Sequence, residues 1–188
     1  AISTHDDIAD EMPQDRIELA SLLYAGNIAT NEGSKILVEQ GKLQGAKVLL
    51  GEVNKNHFYQ QHVVETLWQR APQSFEEYRD GINHICVFSG IGLKYALALA
   101  GREFLTRKID NFANSYGVAL QLVDDLREVE EDREIGYWSF PITEGEPYKK
   151  SFEELFKHIK ICKESVPQSW KNLLDLAERL EKFAYSIK

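Results

Sequence analysis

The chain has 188 residues, of which 43% are hydrophobic and 28% charged, enough for one domain with a sizeable core. Its net charge of −8 argues against a nucleic acid partner, because phosphate backbones are bound by basic surfaces. The two cysteines, Cys86 and Cys162, lack metal-ligand spacing, and neither a secretory signal nor a membrane-spanning run is predicted, so we expect one domain over residues 1–188 in a cytoplasmic protein that does not span a membrane.

The first feature along the chain is an acidic cluster, which reads Asp6-Asp7-Ile8-Ala9-Asp10-Glu11. Residues four apart share a face of a helix, so Asp6 and Asp10 would repel each other unless a cation lay beside them. A rigid motif is unexpected so close to a chain end, where helices fray. We therefore expect this chain to be the C-terminal part of a larger helical domain.

Helical periodicity continues through the next hundred residues. A first long helix is predicted from Arg16 to about Gly41, and a second from about Leu43 to Trp68. After a break that contains Pro72, Ser74 is predicted to cap a third helix, with Glu77 completing a capping box. That helix is expected to run to about Gly101.

A fourth helix, predicted from about Glu103 to Arg133, carries the second acidic cluster. Its apolar residues step by three and four and form a stripe typical of a core-facing helix: Leu105, Ile109, Phe112, Tyr116, Ala119, Val123 and Leu126. The polar residues predicted to converge on its other side are Gln121, Asp124, Asp125, Glu128 and Asp132. Arg127 is expected to point well away from the face of Glu128.

The remainder of the chain is predicted to contain a loop over residues 136–148 and two shorter helices, over residues 152–162 and 170–187. No segment shows the alternation of a β-strand. The sequence therefore predicts an all-α fold.

The two acidic clusters together indicate a site for divalent cations. Either cluster alone is more typical of a solvated helix end. Two clusters with the same spacing, one of them opposite a core stripe, favour Mg²⁺, which binds a few carboxylates while substrate phosphates and waters complete its coordination. Magnesium held this way neutralises a diphosphate as it leaves, and an apolar bundle shields the resulting carbocation from water.

On these motifs the chain resembles the trans-isoprenyl diphosphate synthase family. The segment His5–Asp10 is similar to the family's first DDxxD motif, and Gly117–Asp125 to the helix that bears the second. The resemblance implies a class I isoprenoid synthase helical bundle without its N-terminal helices. It also implies a Mg²⁺-dependent prenyltransferase that ionises an allylic diphosphate and condenses it with the homoallylic isopentenyl diphosphate.

The resemblance further implies roles for individual residues and for the assembly. Catalysis would depend on Asp6, Asp10 and Asp124, and substrate binding on Arg16 and Gln121. The implied metal ligands are Asp6, Asp7, Asp10, Asp124, Asp125 and Glu128. A homodimer or a heteromer is expected.

Several departures from the family pattern leave alternatives open. The upstream helices that bind the homoallylic diphosphate are missing, and the second motif ends in Glu128 rather than Asp. The segment 126–141 also resembles the second motif of squalene and phytoene synthases, which couple two diphosphates head to head. The spacing of Asp124, Glu128 and Asp132 is similar to the second metal motif of terpene cyclases. A non-catalytic partner subunit of a prenyltransferase is the remaining alternative.

Overall fold

The computed structural model describes residues 42–67, 69–102 and 105–188, together with positions 32, 35, 36, 38 and 39. The first acidic cluster, Arg16 and nearly all of the helix predicted up to Gly41 lie outside the described residues. Within the described ranges every regular element is a helix, which confirms the all-α prediction. The helices are α1 (Leu43–Thr66), α2 (Phe75–Gly81), α3 (Asn83–Leu99), α4 (Thr106–Arg127), α5 (Val129–Ile135), α6 (Phe140–Glu144), α7 (Lys149–Ser165) and α8 (Lys171–Ile187).

The third predicted helix is divided into α2 and α3. Ser74 caps α2 as predicted, since its hydroxyl accepts a hydrogen bond from the Glu77 amide at 3.2 Å. The helix then breaks at Ile82, whose ψ of 12° is not helical. Gly81 lies at this break against Leu67, and a Cβ there would come within 2.9 Å of the leucine side chain. The prediction of one continuous helix was therefore wrong.

Helix α4 is the central element, and it packs against α3, α7 and α8. The predicted stripe is largely confirmed, because Ile109, Phe112, Ala119 and Val123 are buried, while the rest of the stripe is half-buried. Burial extends beyond the stripe to the neighbouring positions 113, 118 and 122, since helices cover α4 on more than one side. A Cβ at Gly117 would lie 2.8 Å from the backbone of α3, so glycine is required for this close helix contact.

Helix α4 ends earlier than predicted. It stops at Arg127, and Glu128, with φ −110° and ψ 18°, separates it from α5. The following segment, predicted as a loop, contains α6, which starts with Phe140 and has a proline in its first turn. Proline suits the first turn of a helix, and the Phe140 ring packs edge-on against Phe75 at 5.2 Å. Core packing thus orders part of the expected loop.

The last two helices of the chain, α7 and α8, pack against α4. Their buried residues recur at steps of three and four, which gives each helix one apolar face. Those of α7 include Leu155, Ile159 and Cys162, and those of α8 are Leu173, Ala177, Leu180 and Ala184.

No single described helix has both the length and the apolar composition to cross a bilayer; α2 and residues 85–99 of α3 meet that test only as a pair joined across a 62° bend.

Helices α1, α3 and α4 are joined by a buried ion-pair network. The ammonium group of Lys94 lies 2.6 Å from Glu52 Oε2 and 2.5 Å from Asp110 Oδ1. Lys94 and Glu52 are both buried, and Lys55 adds a second, more exposed contact to Glu52 at 2.9 Å. The two cations, Lys94 and Lys55, and the two carboxylates, Glu52 and Asp110, therefore all have ion-pair partners here.

Candidate functional site

The second acidic cluster lies at the C-terminal end of α4 and continues into α5. Of the predicted site residues, the structure brings together Gln121, Asp124, Asp125 and Glu128, with Asp132 one turn further on. The other predicted site residues, Asp6, Asp7, Asp10 and Arg16, lie outside the described residues.

Asp125 is buried at the centre of a hydrogen-bonded group. Its Oδ2 atom accepts a hydrogen bond from the Tyr78 hydroxyl at 2.7 Å, and its Oδ1 atom accepts one from the Gln121 amide at 2.7 Å. Burial raises the pKa of Asp125 to about 8; the two hydrogen bonds oppose this shift, and the nearby carboxylates of Asp132 and Asp124 add to it. Asp125 is therefore held inside the bundle and binds a proton near neutral pH.

Three other carboxylates form a stack along one side of this end, at positions 124, 128 and 132. The break between α4 and α5 does not disturb their register: the Glu128 amide donates to the Asp124 carbonyl at 3.0 Å, and the Asp132 amide donates to the Glu128 carbonyl at 2.8 Å. Asp124 is exposed, Glu128 is half-buried and Asp132 is buried. The stack thus leads from solvent into the protein.

The members of this carboxylate stack repel one another. Burial raises the pKa of Glu128, and the charges of Asp124 and Glu131 raise it further, while Arg127 acts in the opposite direction. Burial also raises the pKa of Asp132 to about 6; the Ser139 hydroxyl opposes this, and the carboxylates of Glu128 and Asp124 add to it.

No basic side chain of the described residues forms an ion pair with the stack. As predicted, Arg127 points elsewhere, with its guanidinium 5.5 Å from the centroid of the Phe183 ring. The Asp132 Oδ2 and Ser139 Oγ atoms are buried without a hydrogen-bond partner of good geometry among the described residues. An unpartnered buried carboxylate oxygen is costly, so a cation or a water beside Asp132 would stabilise this end of the protein.

The described carboxylates do not form a complete metal site by themselves. In residues 42–67, 69–102 and 105–188, no three His, Cys, Asp or Glu side chains converge closely enough to hold a metal ion. Asp124 and Glu128 supply the oxygen ligands that Mg²⁺ prefers, but further ligands must come from elsewhere.

Sequence reasoning missed two residues of the site, Tyr78 and Ser139. Tyr78 is 47 residues from its partner Asp125, and no spacing rule connects them. Ser139 precedes α6, which was itself predicted as a loop. The one signal available for Tyr78 was its place three residues after Phe75, on the buried face of a short helix.

Comparison of the chain with protein-family models, with curated proteins and with solved structures gives no match in any of the three.

Proposed function

We propose that this chain is a Mg²⁺-dependent prenyltransferase of the isoprenyl diphosphate synthase type, which condenses an allylic diphosphate with isopentenyl diphosphate. The observation that carries the proposal is the carboxylate stack at positions 124, 128 and 132. The charge of Asp124 raises the pKa of Glu128, and the charges of Glu128 and Asp124 raise the pKa of Asp132. None of the three forms an ion pair with a basic side chain of the described residues. Such a site needs positive charge, and its all-oxygen ligands suit Mg²⁺.

In this proposal the second cluster supplies one half of the site. Asp124 is exposed at the open end of the stack and can reach a metal-bound diphosphate, with Glu128 beside it. Asp6, Asp7 and Asp10 would supply the other half, and Arg16 would contact the diphosphate. When bound, Mg²⁺ would neutralise the diphosphate as its C–O bond to the allylic carbon breaks.

The described contacts of Asp125 and Gln121 support a role for them that differs from direct binding. Both Asp125 oxygens accept hydrogen bonds, and the Gln121 amide is one of the donors. We therefore propose that Asp125 and Gln121 act as positioning residues, which fix the end of α4 so that Asp124 and Glu128 face the substrate.

The same observation favours a second candidate, a terpene cyclase or a head-to-head synthase. With Asp125 engaged in the interior, the carboxylates that remain are Asp124, Glu128 and Asp132, at steps of four. That pattern is similar to the spaced second metal motif of terpene cyclases. Both candidates require a metal-bound diphosphate and differ in the group that captures the carbocation.

Product analysis separates the candidates. The protein is incubated with dimethylallyl, geranyl or farnesyl diphosphate and Mg²⁺, with and without isopentenyl diphosphate. An elongated diphosphate that forms only with isopentenyl diphosphate supports the prenyltransferase. A hydrocarbon or a head-to-head product that forms without it supports the second candidate.

Two variants make the assay specific for the proposed site. Asp124→Ala should abolish the product, whereas Glu134→Ala, which removes an exposed carboxylate of α5, should leave it unchanged. Absence of diphosphate release under every condition would contradict both candidates.

A further inference from the structure

A second concave site lies at the opposite end of α4. A groove of about 660 Å³ is formed where α3 ends and α4 and α8 begin. At a rise of about 1.5 Å per residue, Ile109 in this groove lies roughly 22 Å along α4 from Asp124. The volume is within the range of small-molecule sites, about 300–1,000 Å³. The groove is thus separate from the acidic end in position and large enough for a ligand.

The floor of the groove is apolar. It is formed by aliphatic side chains from three helices and by one indole ring, and the residues are Leu93, Leu97, Ile109, Leu173 and Trp170. Ile109 and Leu173 belong to a buried core cluster, against which the other three pack while half-buried. A ligand that fits this floor must contribute an apolar group, because burying apolar surface against apolar surface is favourable.

The rim of the groove is basic, although the chain as a whole is acidic. Arg102 and Lys171 line the rim, both are exposed, and neither forms an ion pair with a described residue. Arg107 and Lys108 follow in the first turn of α4, also exposed and without such a pair. The rim therefore attracts an anion.

Helix geometry strengthens this positive potential. Helices α4 and α8 both begin at the groove, and neither has a side-chain N-cap. Cations in the first turn oppose the helix dipole, so the arrangement is unfavourable without an anion. Among the described acids of α4 and α8 near these helix starts, Asp110 pairs with Lys94 and Asp175 pairs with Arg179.

We propose that this groove binds a free long-chain fatty acid, with the aliphatic chain on the floor and the carboxylate between Arg102 and Lys171. A guanidinium can bind a carboxylate through two parallel hydrogen bonds, and a single unbranched chain suits an open groove. This site is independent of the proposed diphosphate site, because it needs no metal and lies at the other end of α4.

Calorimetric titration of the full chain with decanoate and dodecanoate, below their micelle concentrations, tests the proposal. One ligand should bind per chain, and the affinity should increase roughly fourfold for each added CH₂. Dodecyl maltoside, which is neutral, and dodecyltrimethylammonium, which is cationic, should bind much more weakly. EDTA and Asp124→Ala should change nothing, so this result stands whether or not the diphosphate site is as proposed.

Matched variants identify the groove as the site. Lys171→Gln should weaken dodecanoate binding severalfold, while Lys182→Gln, an exposed lysine on the same helix, should leave it unchanged. Ala96→Trp places a ring in the groove and should abolish binding. If Ala96→Trp does not fold, Arg102→Gln at an exposed position replaces it and should weaken dodecanoate binding.

Three results would overturn the proposal. They are equal binding of the neutral or cationic detergent, affinity that does not depend on chain length, and equal effects of Lys171→Gln and Lys182→Gln. Dodecyl phosphate binding in place of dodecanoate would overturn the assignment to a fatty acid.

Discussion

Helix α4 contributes a carboxylate to two polar groups, one near each of its ends, that differ in one respect. Near its beginning, Asp110 and Glu52 share the ammonium of Lys94. Near its end, the hydrogen-bond donors to Asp125 among the described residues are the neutral groups of Tyr78 and Gln121. The first group contains its own cation, and the second has none within the part of the chain that the structure describes.

The difference appears in the pKa values. Burial alone would raise the pKa of Glu52, but the ammonium groups of Lys55 and Lys94 reverse the shift and the pKa is lowered. Burial raises the pKa of Asp125 to about 8, and its two hydrogen bonds are too weak to reverse this. At Glu52 the protein itself supplies the lysines that stabilise the buried carboxylate. Beside Asp125, the carboxylates of Asp124 and Glu128 also have no ion-pair partner among the described residues, and we propose that a metal ion supplies the positive charge there.

The largest effect is expected at the ion-pair network. Lys94→Met leaves Glu52 and Asp110 without their shared cation and should lower the free energy of unfolding by about 3 kcal/mol. Urea denaturation measures the loss. Lys55→Met is the matched control, because Lys55 is exposed and its pair is worth at most about 1 kcal/mol. Equal losses in the two variants would show that the network does not stabilise the fold.

A smaller effect is expected for the neutral donor of the second group. Tyr78→Phe removes the hydroxyl that donates to Asp125 and should cost about 1–3 kcal/mol, because the carboxylate loses a buried partner. Tyr185→Phe, at an exposed tyrosine, should cost nothing measurable. If thermal or urea denaturation gave the same midpoint for Tyr78→Phe as for the wild type, this hydrogen bond would have no structural importance.

The pH dependence of stability should have opposite signs for the two groups. The pKa of Asp125 is raised on folding. Its contribution to the free energy of unfolding is therefore fully present below about pH 4 and is lost as the pH rises through about 8. The pKa of Glu52 is lowered, so its contribution is present above 4.5 and is lost as the pH falls through the lowered value.

Asp125→Asn should remove the first of these two dependences. Between about pH 6 and about pH 7 the free energy of unfolding of the wild type should fall by roughly 1 kcal/mol, whereas that of the variant should not. Denaturation at each pH measures both. Identical pH profiles for the two proteins would contradict the raised pKa of Asp125.

The smallest effect on stability is expected for Asp124→Ala. Asp124 is exposed and its charge raises the pKa of Glu128, so its removal relieves repulsion and should change the free energy of unfolding by less than about 0.5 kcal/mol. Product formation should nevertheless disappear. A variant that melts like the wild type and retains full activity would exclude Asp124 from the site.

Local sequence signals predicted the helices better than their interruptions. The periodicity of α1, α7 and α8 and the Ser74 cap are properties of short segments, and the structure confirms them. The break at Ile82 and the helix α6 lie beside contacts with Leu67 and Phe75, which are distant in sequence.

The same limit applies to the candidate site. The spacing of Asp124, Glu128 and Asp132 predicted their stacking, and the backbone hydrogen bonds confirm their register. The burial of Asp125 could not be predicted, because its partner Tyr78 belongs to another helix, 47 residues away. A pattern of charges shows which residues share a face, but it does not show which of them another helix covers.

The central inference is that the acidic end of α4 binds an external cation. Calorimetric titration with inorganic pyrophosphate tests it most directly. Binding is predicted with Mg²⁺ present and not in EDTA, and it should disappear in Asp124→Ala while Glu134→Ala retains it. Equal binding of pyrophosphate with Mg²⁺ and in EDTA, or full binding by Asp124→Ala, would contradict it.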